Sequence, residues 1–192
     1  MTETEFNQLA AQGYNRIPVV LETFADLDTP LSVYLKLANR PYSYLLESVQ
    51  GGERFGRYSF IGLPATTRIE ARGNHLSVIN GAGSQESEVD DPLAFVESYL
   101  AHFKAALYPG LPRFCGGLAG YFAYDTVRYI ERKLVGHARP DTLNTPDILL
   151  LLSEELAVVD NLSGKLYLIV YADPAEAGAY QAVQARLKEL LA

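Results

Sequence analysis

Glu47 is the residue of this sequence with the most unusual setting for chemistry. With Ser48 it stands in an otherwise mostly apolar segment, 43–49, of strand length and composition. Neighbours in a regular strand face opposite ways. For Glu47 and Ser48 to serve one site, either a bulge must turn one side chain to the other face or one of the two residues must contribute through its backbone. In a central strand the carboxylate needs a partner, because an unpaired buried charge is costly. The candidates are Arg54 or Arg57, as an ion pair, and the ammonium group of a bound ligand.

Other residue types that support catalysis or metal binding give weaker indications. The glycines between 116 and 120 suggest a phosphate loop, but their spacing is not G-x-G-x-x-G, and we interpret them as places where another backbone approaches closely. Cys115 is interpreted as a small buried hydrophobe. The three histidines are far apart in sequence, without a partner at metal-ligand spacing. We therefore predict neither a metal site, nor a phosphate loop, nor a catalytic cysteine in this chain.

Helices and strands must position these residues. Helices are predicted where a capping residue precedes a proline, at Thr29-Pro30, Asp91-Pro92 and Asp173-Pro174, and over 5–12. The expected strands are 17–24, 43–49, 57–63, 66–72, 75–80, 121–124, 148–160 and 165–172, and the expected polar loops are 81–91 and 132–145. Short turns join most neighbours, which favours antiparallel pairing. The sequence predicts an α+β fold with antiparallel β-sheets and helices on the outside.

Length and charge restrict the class of protein. The 192 residues carry 16 Lys+Arg and 23 Asp+Glu, a formal charge of −7, which suits one domain and argues against a nucleic-acid partner. The N-terminus lacks a basic segment followed by an apolar core. The longest apolar run, 148–152, is far shorter than the ~20 residues that span a bilayer. With one cysteine, the sequence predicts a cytoplasmic protein without membrane association.

Three motifs, taken in order, carry a family resemblance. They are Leu-Leu-Glu-Ser at 45–48, Arg-Tyr-Ser-Phe-Ile-Gly at 57–62 and Gly-Gly-Leu-Ala-Gly-Tyr-Phe-Ala-Tyr-Asp at 116–125. From about Ile17 to the C-terminus the chain resembles the N-terminal part of anthranilate synthase component I. The sister family, aminodeoxychorismate synthase component I, shares the architecture, but the first two motifs look closer to the anthranilate branch.

The resemblance implies an activity and an architecture. The family enzyme converts chorismate to anthranilate and pyruvate, with Mg²⁺ and with ammonia from a glutamine amidotransferase partner. Its chorismate and Mg²⁺ residues belong to a C-terminal half that we expect to be absent here. Residues 1–192 are therefore expected to form a single N-terminal regulatory domain, inactive alone. Its β-sheets are expected to pack as a sandwich, as half of a larger two-part αββα enzyme.

The resemblance also implies an effector site, because L-tryptophan binds in this region of the family as feedback inhibitor. The residues that it assigns to tryptophan are Leu46, Glu47, Ser48, Arg57, Tyr58 and Ser59. The ligand then becomes the favoured partner of Glu47. Since the C-terminal half supplies part of the pocket, we expect this chain alone to bind tryptophan weakly. Two alternatives stay open: the aminodeoxychorismate branch, and a free-standing binding or scaffold domain unrelated to chorismate.

Overall fold

The chain folds into two compact units. The computed structural model describes residues 1–47, 56–134 and 142–192, without the side chain of Arg132. The first unit consists of Met1–Ala65, Phe103–Gly117 and Ser153–Ala192, and the second of Thr66–His102 and Leu118–Leu152. The two sheets have five strands each. The predicted α+β fold with antiparallel sheets is confirmed, while the sandwich packing and the single domain over 1–192 stay predictions.

The elements are numbered in chain order. The helices are α1 (Glu3–Ala11), α2 (Pro30–Leu37), α3 (Pro92–Ala101), α4 (Val127–Ile130) and α5 (Ala179–Leu191). The strands are β1 (Ile17–Phe24), β2 (Tyr44–Leu46), β3 (Tyr58–Gly62), β4 (Arg68–Arg72), β5 (His75–Asn80), β6 (Gly83–Glu88), β7 (Gly117–Phe122), β8 (Ile148–Ser153), β9 (Glu155–Asp160) and β10 (Lys165–Ala172). Short 3₁₀ turns cover Tyr124–Thr126 and Arg132–Leu134.

The sheet of the first unit has the order β1-β10-β9-β3-β2, and each of its ladders is antiparallel. One face packs against α1, α2 and α5 through the main apolar cluster, which includes Ile61 and Leu168. The other face is called the aromatic face here. It presents buried Leu156, Val158 and Ile169 with partly buried Val20, Tyr58, Phe60, Tyr167 and Tyr171, and three residues of the segment before β7 pack against it: Leu111, Phe114 and Cys115. The aromatic face is the side of the sheet on which the candidate site lies.

The second unit contains the sheet β6-β5-β4-β8-β7. Its core consists of Ile69, Ala71, Leu76, Ile148 and Leu150 together with Val96 of α3. Gly120 of β7 lies so close to β8 that a Cβ there would overlap the carbonyl oxygen of Leu149. This close approach confirms the interpretation of that glycine as a place where another backbone comes near.

Local capping signals explain where three helices begin. Thr29 forms a capping box with Ser32, and Asp91 accepts hydrogen bonds from the backbone N–H groups of Leu93 and Ala94 at 2.9 and 3.0 Å. Thr2 caps α1 in the same way as Thr29 caps α2. These starts confirm the predicted helices at Thr29-Pro30 and Asp91-Pro92 and the helix near 5–12. Within the described ranges, the helices are too short or too polar to cross a membrane.

Three expectations about the elements are wrong. The helix predicted at Asp173-Pro174 begins only at Ala179: Asp173 accepts the backbone N–H of Ala175 at 2.9 Å and caps a short turn, but Gly178 adopts a left-handed conformation before α5. The stretch 81–91, expected to be a loop, contains strand β6. The strand expected over 148–160 is two strands that belong to different sheets, β8 and β9. An extended apolar run does not reveal that its two halves pair with different neighbours.

Candidate functional site

The segment that carries Glu47 lies at the edge of the first unit's sheet. Among the described residues β2 is the last strand in that sheet, and it pairs Leu46 with Phe60 of β3. Leu46 is 52% exposed, and Glu47 follows the end of the strand with an exposed side chain. The condition under which Glu47 would need a buried partner, a central position for its strand, is therefore not met among the described residues. Ser48 lies outside the described residues.

Arg57 forms its ion pair with Asp160 rather than with Glu47. Its Nε and Nη2 atoms donate to the two carboxylate oxygens of Asp160 at 3.0 and 2.7 Å. The Asp160 carboxylate is 1% exposed and also accepts the backbone N–H of Leu162 at 3.1 Å. The guanidinium of Arg57 lowers the pKa of Asp160 to about 2. The pair holds the chain before β3 to the turn after β9. The other arginine considered for Glu47, Arg54, lies outside the described residues.

Tyr58 and Ser59 point to opposite faces of the sheet. Tyr58 lies on the aromatic face, where its ring centroid is 6.2 Å from that of Phe60 and the Arg57 guanidinium is 4.9 Å from the ring. Ser59 is fully buried, and the side-chain amide of Asn161 donates to its hydroxyl at 3.1 Å. Strand alternation thus brings Tyr58 and Leu46 to one surface and places Ser59 behind it. The structure does not bring all six assigned side chains together.

Tyr44 is a residue of this segment that sequence reasoning did not assign to the site. It pairs with Gly62, and a Cβ on Gly62 would overlap the Tyr44 ring. A hydrogen bond of 2.8 Å joins its hydroxyl to that of Ser153. Burial raises the pKa of Tyr44. A glycine opposite an aromatic residue was the signal that could have indicated this contact.

Cys115 and Gly116, the other candidates from the sequence, both contact Tyr171. The Cys115 sulfur lies 3.4 Å from the Tyr171 hydroxyl on the aromatic face, where it is only partly exposed. A Cβ on Gly116 would meet the ring of the same tyrosine. In the parts of the chain that the structure describes, no three His, Cys, Asp or Glu side chains form a group that could hold a metal.

The comparisons with known proteins agree on one family. The chain is 57% identical over 192 residues to anthranilate synthase component 1 of Pseudomonas putida, which covers all of the chain and 39% of that protein. It is 55% identical over 193 residues to the same component of Neisseria meningitidis serogroup C, covering 99% of the chain and 39% of the relative. The Acetivibrio thermocellus component is 35% identical over 163 residues, with 85% and 33% covered. No protein-family model matches the chain.

A solved structure has the same fold. The crystal structure of anthranilate synthase component I from Streptococcus pneumoniae TIGR4 matches with a TM-score of 0.56 and 24% identity, over 88% of this chain and 36% of that one. The chain spans about two fifths of the length of the curated relatives it matches. Since the first two relatives share more than half of the aligned residues over nearly the whole chain, the chain belongs to the anthranilate synthase component I family.

Proposed function

We propose that this chain is the N-terminal part of an anthranilate synthase component I, which converts chorismate and ammonia to anthranilate and pyruvate. The identity of 57% over the whole chain to a relative of that name supports the proposal and favours it over the aminodeoxychorismate branch. We assign chorismate and Mg²⁺ binding to the part of the relatives' length that this chain does not span. A glutamine amidotransferase would supply the ammonia. The chain alone is then expected to be inactive.

The function that we propose for the described residues is regulation by L-tryptophan. The observation that carries it is the exposed Glu47 side chain directly beyond β2, the last strand of the sheet among the described residues, whose Leu46 is half exposed opposite Phe60. A carboxylate can accept hydrogen bonds from the ammonium group of an amino acid, and an apolar surface next to it can cover an indole ring. Ser48 stays in the proposed site as the next residue of the motif.

Three of the residues assigned by the resemblance have different roles in the proposal. Tyr58 contributes to the apolar surface, because it lies beside Phe60 on the aromatic face. Arg57 does not contact tryptophan in the proposal, since its Nε and Nη2 atoms both donate to the Asp160 carboxylate. Its role is to hold the start of β3 in place. Ser59 is fully buried on the other side of β3, so its role is to pack the strand. The proposed contacts with tryptophan are therefore Leu46, Glu47, Ser48 and Tyr58.

The exposure of Leu46 and Glu47 is compatible with a pocket that this chain builds only in part. An indole side chain buries roughly 150–250 Å². At about 25 cal/mol per Å² its burial contributes on the order of 4–6 kcal/mol. If about half of the wall comes from other parts of the enzyme, this chain alone loses roughly 2–3 kcal/mol, or about 30- to 150-fold in affinity. Tryptophan inhibition is therefore best tested in the full-length enzyme.

The test replaces the carboxylate and keeps its shape. In the full-length enzyme, Glu47→Gln should raise the tryptophan concentration for half-inhibition of anthranilate formation by about 10- to 150-fold, because a charge-assisted hydrogen bond contributes about 1.5–3 kcal/mol. The matched control is Glu97→Gln, on the exposed surface of α3, which should leave the inhibition curve unchanged. Equal inhibition curves for the Glu47 variant and the unmodified enzyme would refute the regulatory assignment.

A further inference from the structure

The aromatic ring of Tyr44 holds the edge strand in place on its neighbour. β2 has three residues, and its described partner is β3. In that ladder Tyr44 is opposite Gly62, and the ring occupies the space that any Cβ at 62 would need. Glycine at this position therefore lets the ring lie close to the strand backbone. A three-residue strand has few backbone hydrogen bonds, so this side-chain contact adds to the packing of Leu45 in attaching β2 to the unit.

The hydroxyl group of Tyr44 provides a second attachment. It is joined to the Ser153 hydroxyl by a hydrogen bond of 2.8 Å. Ser153 is 2% exposed and is the residue at which the chain re-enters the first unit before β9. Separation of the two would leave a buried hydroxyl without this partner, which is costly. The ring contact and the hydrogen bond therefore both attach Tyr44 to its surroundings in the first unit.

We infer that Tyr44 is a positioning residue for the effector site: its contacts with Gly62 and Ser153 fix the strand from which Leu46 and Glu47 are presented. Glu47 is three residues from Tyr44 and directly follows the strand that the tyrosine anchors. A shift of β2 by one residue would turn Leu46 to the opposite face. The inference rests on the proposed function and adds the residue that positions the charged contact, Glu47, and the apolar contact, Leu46.

The experiment compares two tyrosine hydroxyls of the first unit in the full-length enzyme. Tyr44→Phe keeps the ring on Gly62 and removes only the hydrogen bond to Ser153. It should raise the half-inhibitory tryptophan concentration by about three- to tenfold. The KM for chorismate is measured separately and should stay unchanged, because the substitution acts on the effector site. The control is Tyr180→Phe, which loses a hydrogen bond of similar length, 2.9 Å to the Met1 carbonyl, on α5. The control should leave both the inhibition curve and the basal rate unchanged.

A second pair of variants separates positioning from general destabilisation. Ser153→Ala should raise the half-inhibitory concentration as Tyr44→Phe does, and the double variant should add little, because both remove the same hydrogen bond. Additive effects, or an inhibition curve for Tyr44→Phe equal to that of the control, would overturn the inference. The Glu47→Gln result distinguishes the two hypotheses. If Glu47→Gln weakens inhibition and Tyr44→Phe does not, only the positioning role is wrong; if Glu47→Gln changes nothing, the proposed site itself is wrong.

Discussion

Substitution of Asp160 by asparagine should destabilise the first unit, because it removes the negative charge while the side chain keeps its shape. The carboxylate is 1% exposed and accepts two hydrogen bonds from Arg57, at 3.0 and 2.7 Å. It also accepts the backbone N–H of Leu162 in the turn after β9. In Asp160→Asn the amide nitrogen can only donate, so it faces donors of the guanidinium or the backbone.

The pKa of Asp160 gives the size of the effect. The value falls from 3.8 to about 2 in the folded chain. At about 1.4 kcal/mol per pKa unit, the folded environment stabilises the ionised carboxylate by roughly 2 kcal/mol. The Arg57 side chain is 38% exposed, so water screens part of this interaction. We therefore expect Asp160→Asn to lower the free energy of unfolding by about 1–2 kcal/mol at neutral pH.

The effect of Asp160→Asn on the free energy of unfolding should also depend on pH, and the pKa shift fixes the direction of that dependence. Because the folded pKa of Asp160 is below its ordinary value, the carboxylate contributes its full stabilisation above pH 3.8. That contribution disappears as the pH falls from 3.8 towards about 2, where the folded carboxyl becomes protonated. The difference in unfolding free energy between the unmodified chain and Asp160→Asn should therefore be constant near neutrality and shrink in that acidic window.

Urea unfolding followed by circular dichroism measures both quantities. The control is Asp90→Asn, at an exposed aspartate before α3, which should change the free energy of unfolding by less than about 0.5 kcal/mol. A change for Asp160→Asn as small as that of the control at pH 7 would refute the assigned role. So would a difference that grows, instead of shrinking, as the pH falls below 3.8.

Two further predictions concern the second unit and the isolated chain. Gly120→Ala should destabilise the fold measurably in thermal unfolding, because the new Cβ overlaps the Leu149 carbonyl oxygen; Gly81→Ala, where a Cβ meets nothing within 4 Å, is its control, and equal melting temperatures would contradict the assigned contact. Calorimetry should find that the 192-residue chain binds tryptophan about 30- to 150-fold more weakly than the full-length enzyme does. Equal affinities would show that this chain builds the whole pocket.

The elements that the sequence predicts correctly are those with a local signal. Thr29 and Asp91 begin helices because each side chain caps backbone N–H groups only two or three residues ahead. Asp173 also caps, since it accepts the backbone N–H of Ala175, but the turn that follows ends at Gly178 and the helix begins only at Ala179. A capping pattern shows that a turn can begin at a residue but not that the turn continues as a helix.

The candidate site depends on long-range pairings that the sequence does not reveal. Alternation correctly places Tyr44 and Leu46 on one face, but it does not show that β2 is the last strand of the sheet among the described residues or that Glu47 is exposed. Arg57 lies 103 positions from Asp160 in sequence. Sequence proximity therefore suggested an ion pair with Glu47, which is much nearer along the chain. The motifs identify the segment, whereas the partners of its side chains require the folded chain.

We propose that the Glu47 carboxylate holds the ammonium group of an amino-acid effector. The most direct measurement is calorimetric binding of tryptophan and of indole-3-propionate, which lacks the ammonium group, to the full-length enzyme with and without Glu47→Gln. We predict that the unmodified enzyme prefers tryptophan and that the variant loses most of this preference, because only the ammonium contact is removed. An equal preference for tryptophan in the two proteins would contradict the account.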